Sequence, residues 1–206
     1  MLSTYRTLLS RYRNYVWAAA LLLSLGILLG VLATLYYPQT IEKVFQMVGE
    51  ELQRLGKDVL SSPLGQGILI LFWHNLQALL LITVLGLALG VYPAFAMLFN
   101  GLIIGVVGAL SVQNSSLAVF IAGILPHGIF EIPALIIGAA IGLRVGIGPL
   151  VARPRRPFAS PSDRTWRGYG QELHDAMILL SFCTILLTVA AIIEVSVTPR
   201  VMGLFR

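Results

Sequence analysis

The chain has 206 residues, of which 57% are hydrophobic and 11% charged, and its formal net charge is +5. Soluble domains keep about a quarter of their residues charged, so this composition excludes an ordinary soluble fold and indicates one polytopic membrane domain over residues 1–206. The basic excess borders apolar runs, as membrane topology demands, which argues against a nucleic-acid partner and for a lipid bilayer with anionic headgroups.

Five charge-poor windows predict an all-α transmembrane bundle, with spans at about 16–36, 66–91, 94–111, 117–143 and 176–197. Each is near the length at which a helix rising 1.5 Å per residue crosses a bilayer. The first span follows Arg6, Arg11 and Arg13 and is longer than a signal-peptide core, with no small-residue cleavage pattern after it, so it is read as retained.

Between spans one and two lies "QTIEKVFQMVGEELQRLGKDVL", where Ile41, Phe45, Val48, Leu52, Leu55 and Val59 recur at steps of 4, 3, 4, 3 and 4. That spacing is a heptad seam, and Thr40 as N-cap with Pro63 beyond the end frames an amphipathic helix at about 40–60, outside the membrane. Its apolar face rests on headgroups or on the bundle, or forms a docking or homodimer surface for an extracytoplasmic partner.

Span two carries "FWHNLQ", placing His74, Asn75 and Gln77 near mid-membrane, and span three carries "FNG" with Asn100. Polar groups in hydrocarbon need partners, so these are expected to face the bundle interior. Gly86 with Gly90, Gly101 with Gly105, and Gly138 with Gly142 are each G-x-x-x-G pairs, the pattern of closely approaching helices.

Span four holds "ILPHGIFEIPALII", with His127 and Glu131 four residues apart on one helical face and Pro126 and Pro133 beside them. Pro126 suits the first position of a helix, and Pro133 leaves the Ile129 carbonyl without its usual partner. Two geometries follow: one kinked, tilted span, or a re-entrant half-helix that turns at "PHG" and breaks there. Three uses of the buried polar cluster His74, Asn75, Asn100, His127 and Glu131 compete. It locks helices together, serves a proton, ion or small-molecule path, or holds a metal with His74 as third ligand. H-x-x-x-E is generic spacing and no H-E-x-x-H is present, so no metal or cofactor is assigned.

An Arg- and Pro-rich loop at about 144–171 contains Arg144, Arg153, Arg155, Arg156, Arg164 and Arg167 against one acid, Asp163. Arginine collects on the cytoplasmic side, so the N-terminal head and this loop are expected inside and the C-terminal tail outside, although Arg200 and Arg206 fit that tail less well. Glu194 is expected at the outer interface and His174 at the inner one. Cys183 is the only cysteine, so no intramolecular disulfide forms and no redox compartment follows.

The "HN" of span two, "FNG" and "IIG" of span three and above all "PHGIFEIPALIIGAAIGLRVG" resemble the stage II sporulation protein M family of integral membrane proteins, from about Gly67 to Gly148. The motif falls on Asn75, Asn100, Gly101, Pro126, His127, Gly128, Glu131 and Pro133, with Gly101, Pro126, Gly128 and Pro133 expected to break or pack helices. His74 stands where the pattern has Asn. For sporulation members the resemblance implies a membrane anchor that assembles with peptidoglycan-degrading partners during forespore engulfment, without being the hydrolase. The expectation for this chain is a non-enzymatic scaffold of a cell-envelope complex. The alternative is a proton, ion or small-molecule transporter or channel using His127 and Glu131.

Overall fold

The computed structural model describes residues 2–44, 58–59, 61–87, 89–151 and 161–204, and among these the fold is all-helical. The elements are α1 (Leu2–Tyr36), α2 (Leu64–Val84), a 3-10 turn (Leu85–Leu87), α3 (Val91–Asn114), α4 (Leu117–Val151), α5 (Pro161–Ser196) and α6 (Thr198–Gly203). Residues 38–44 are also helical. Within the described residues five helices are long and apolar enough to cross a membrane: Tyr5–Tyr36, Leu64–Val84, Val91–Asn114, Leu117–Ile147 and Gly170–Gly203.

Helix α4 is central and packs against α1, α2, α3, α5 and α6, while the most extensive single interface joins α1 to α3. That interface is built from missing side chains. A β-carbon at Gly26 would overlap the Leu98 carbonyl oxygen, and one at Gly30 that of Leu102; Gly101 and Gly105 stand in the same relation to Leu23 and Ile27. Lipid supplies no hydrophobic drive between helices, so close backbone approach and dispersion must hold them. The turn that follows α2 meets α4 by the same device, with Gly86 against Gly142 and Gly90 against Gly146, just beyond the α2–α4 contact. There the Thr83 hydroxyl donates to Leu79 O at 2.9 Å and Gly138 O at 3.4 Å, adding a polar clasp.

The reversal between α2 and α3 is short because Leu89 and Gly90 take left-handed φ of 56° and 69°, and Gly90 N–H donates to Gly86 O at 2.8 Å. This conformation costs glycine little and strains Leu89. The α3–α4 reversal ends with Ser116, whose hydroxyl accepts the Val119 N–H at 3.2 Å and caps α4.

Two apolar cores result. Tyr12, Leu79, Ile137, Ile141, Leu179, Cys183 and Leu187 meet between α1, α2, α4 and α5. Ala19, Ile82, Met97, Ala139 and Leu143 meet between α1, α2, α3 and α4.

Helix α4 passes Pro126 and Pro133 without interruption over 35 residues. Of the two geometries considered for span four, the continuous span is therefore the one adopted; there is no re-entrant turn at "PHG", and Pro126 lies inside a helix instead of opening one. Proline is tolerated within membrane helices when neighbouring elements compensate. Both α4 and α5 also extend into the region expected as a loop, reaching Val151 and starting at Pro161. Proline fits the first position of α5, where its missing N–H has no intrahelical partner to lose.

Candidate functional site

Polar side chains gather at two levels of the bundle. At the first, α1, α4 and α5 are joined through Arg144. Its Nε donates to Glu172 Oε2 at 2.7 Å and its Nη2 to Glu172 Oε1 at 2.5 Å, while Nη1 donates to the Arg11 carbonyl at 2.9 Å. The guanidinium carbon stands 4.3 Å from the centre of the Tyr12 ring, and the Tyr12 hydroxyl donates to Glu172 Oε2 at 3.4 Å. Arg11 Nη1 pairs with Asp175 Oδ2 at 2.9 Å. The planar guanidinium suits this place because one group makes a two-point contact with a carboxylate, reaches a third acceptor and lies on an aromatic face. Sequence reasoning treated these arginines only as topology marks and missed the network; the acids Glu172 and Asp175 just before the last apolar run were the available signal.

The second level joins α4 to α5. His127 Nδ1 pairs with Glu194 Oε2, and neither atom has another hydrogen-bond partner among the described residues. The side chains are 17% and 34% exposed, so the pair is largely withdrawn from its surroundings. Glu131, one turn along α4, is half-buried. The partner of His127 is thus Glu194 on the neighbouring helix.

The remaining expected residues divide. Asn75 is buried and faces the bundle. Asn100 is half-buried, and its Nδ2 donates to Ala96 O at 2.8 Å within its own helix. His74 is exposed on the outer face of α2 and does not join His127 and Glu131. Its register, one residue before the inward Asn75, rotates it about 100° from that face. No group of three or more His, Cys, Asp or Glu side chains forms a metal site among the described residues.

Gly101 is set against Leu23 O of α1, where a β-carbon would collide with the neighbouring backbone. Among the described residues, a β-carbon at Gly128 would meet Ile124 and Ile132 of its own helix. Gly128 lines an apolar surface hollow of about 290 Å³ with Leu125, Ile129 and Pro133. Of the expected external seam, Ile41 is half-buried and Val59 is 6% exposed. Phe45, Val48, Leu52 and Leu55 lie outside the described residues. At the opposite terminus Arg200 Nη1 donates to Ser196 O at 2.8 Å, so this arginine satisfies a carbonyl at the end of α5, which accounts for a basic residue on that tail.

Comparison with known proteins agrees with this architecture. The chain is 30% identical to an uncharacterised protein of Methanocaldococcus jannaschii over 132 residues, which cover 62% of this chain and 68% of that protein. No solved structure matches it significantly. The family model described as stage II sporulation protein M matches residues 19–199, from within α1 to α6, and takes in His127, Arg144, Glu172 and Glu194 but not Arg11 or Tyr12. With that match over most of its length and its five apolar helices, the chain is a multi-pass membrane protein that belongs to the stage II sporulation protein M family.

Proposed function

We propose that this protein is a non-enzymatic membrane scaffold that holds partners of a cell-envelope complex in position. The observation that carries the reading is the His127–Glu194 pair: the most distinctive polar residue of the bundle is used to join α4 to α5. A transport path needs polar groups along a continuous cavity. The surface hollows of about 420 Å³ beside Arg11 and about 290 Å³ beside Gly128 include neither His127, Glu131 nor Glu194 in their linings. Backbone-to-backbone glycine contacts add stiffness, which suits an anchor that transmits position.

In this reading the Arg11–Arg144 end faces the cytoplasm, where anionic headgroups meet the arginines, and the His127–Glu194 end lies toward the other side. The heptad seam of Ile41, Phe45, Val48, Leu52, Leu55 and Val59 presents the docking surface for an extracytoplasmic partner.

Affinity capture from membranes tests this. With Phe45, Leu52 and Leu55 changed to Glu, co-purifying partners are expected to be lost while the bundle stays inserted; undiminished recovery overturns the docking surface. Proteoliposomes of the wild type and Glu131→Gln should both show no proton or ion flux. A wild-type flux abolished by Glu131→Gln would replace the scaffold with a transporter.

A further inference from the structure

Helix α2 carries a seam that is largely uncovered by the described residues. Gln66, Ile70, Trp73, Gln77, Leu80 and Val84 recur at steps of 4, 3, 4, 3 and 4. Trp73 is 58% exposed, Leu80 41% and Val84 57%; Gln66 and Gln77 are exposed and Ile70 is half-exposed. At 100° per residue these six positions fall within an arc of about 80°, with Gln77 near its centre and His74 on its flank. Both polar residues sit deep in the span, His74 at the midpoint of the 21-residue helix and Gln77 one turn further on. Neither has a hydrogen-bond partner among the described residues.

We infer that this face is the contact between two copies of the chain within the membrane, with α2 meeting α2 about a two-fold axis along the bilayer normal. Acyl chains offer no donor or acceptor, so a glutamine amide held against them leaves all its hydrogen-bonding capacity unmet. The occupant must therefore bring polar groups to the same depth. A second copy does so by symmetry, because a two-fold axis along the normal sets each residue opposite itself at equal depth. The amide is complementary to itself, donating through Nε2 and accepting through Oε1, and a neutral imidazole beside it also offers one donor and one acceptor. A strict 3-4 alternation is the spacing of helices that pair in a left-handed supercoil, and one polar residue in such a seam fixes register and partner number. The face carries no charged side chain, so two copies meet without repulsion. This contact is separate from the external heptad and does not depend on any partner that binds there.

The test uses the full chain alone in liposomes, with Cys183 retained because it is fully buried. Trp73→Cys and Leu80→Cys should each form a cross-linked dimer on mild oxidation. Leu21→Cys on α1 and Ile129→Cys on α4, which are at least as exposed, should not. Fluorescence self-transfer across a lipid dilution series should place the His74→Leu, Gln77→Leu double variant at about tenfold weaker association, the scale of one or two interhelical hydrogen bonds in lipid. Gln77→Asn, which keeps the amide, should recover most of that loss. The double variant loses only lipid-facing polar groups, so the monomer should fold as well as wild type. Equal cross-linking at all four positions, no cross-linking at either seam position, or undiminished association of the double variant would each overturn the inference. So would a seam adduct in native membranes with a different protein in place of the dimer.

Discussion

Gly26 of α1 and Gly101 of α3 meet backbone to backbone: a β-carbon on either would sit 3.0 Å from the α-carbon of the other. The obstacle is main chain, which cannot rotate aside as a side chain can. Gly26→Val and Gly101→Val are therefore expected to destabilise the bundle by at least the ~1–3 kcal/mol typical of overpacking. Gly65→Ala, which opens onto free space, should stay within about 0.5 kcal/mol of wild type. Thermal unfolding in detergent checks all three.

The cross-helix pair predicts a specific coupling. A double-mutant cycle with His127→Ala and Glu194→Gln should give an interaction free energy of about 1–3 kcal/mol, larger than the cycle that combines His127→Ala with Glu131→Gln. Chemical unfolding of the four proteins of each cycle supplies the numbers, and equal couplings would mean that His127 is shared between both carboxylates.

Arg144→Lys retains the charge but loses the two-point contact with Glu172, the third bond to the Arg11 carbonyl and the contact with the Tyr12 ring. A loss of about 1–2 kcal/mol is expected, discounted for the partial exposure of Glu172. Arg13→Lys, at an exposed position, should be neutral in the same unfolding assay.

Cys183 is 0% exposed between α1, α2, α4 and α5. A membrane-permeant maleimide should leave it unmodified in the native bundle and label it on denaturation. In Gly26→Val membranes labelling should proceed under native conditions, which makes the thiol an internal reporter of packing.

Orientation yields a fifth expectation. An impermeant thiol reagent added to intact cells should label Ser116→Cys, in the α3–α4 reversal, and leave Ser3→Cys untouched. The inverse pattern would place the Arg11–Arg144 end outside.

Much of this architecture was legible in the residues, because burial in lipid imposes long apolar helices and nearly nothing else satisfies the backbone. What the spacing could not show was which helix a polar face meets. His127 and Glu131 are neighbours at four residues along one helix, yet the direct contact of His127 is with Glu194, a residue remote in sequence that only the α4–α5 packing brings near. His74 shows the same limit: a polar residue at mid-span suggests an inward position, but its register beside the buried Asn75 turns it outward. The glycine pairs were legible in three places and overlooked in a fourth, Gly26 with Gly30, although these two complete the interface with Gly101 and Gly105. Half of a close contact is visible in either helix; the pairing of the halves is a tertiary fact.

The two polar levels also set a length. On α4 His127 precedes Arg144 by 17 residues, and on α5 Asp175 precedes Glu194 by 19. At 1.5 Å per residue these separations are about 25 and 28 Å, close to the hydrocarbon thickness of a bilayer of ordinary or slightly thin dimensions. The two levels thus stand a fixed distance apart, each tied by side chains that pair across helices. A membrane much thicker than that would draw charged groups below its surface, and the surrounding lipid, more compliant than the bundle, would have to thin around it.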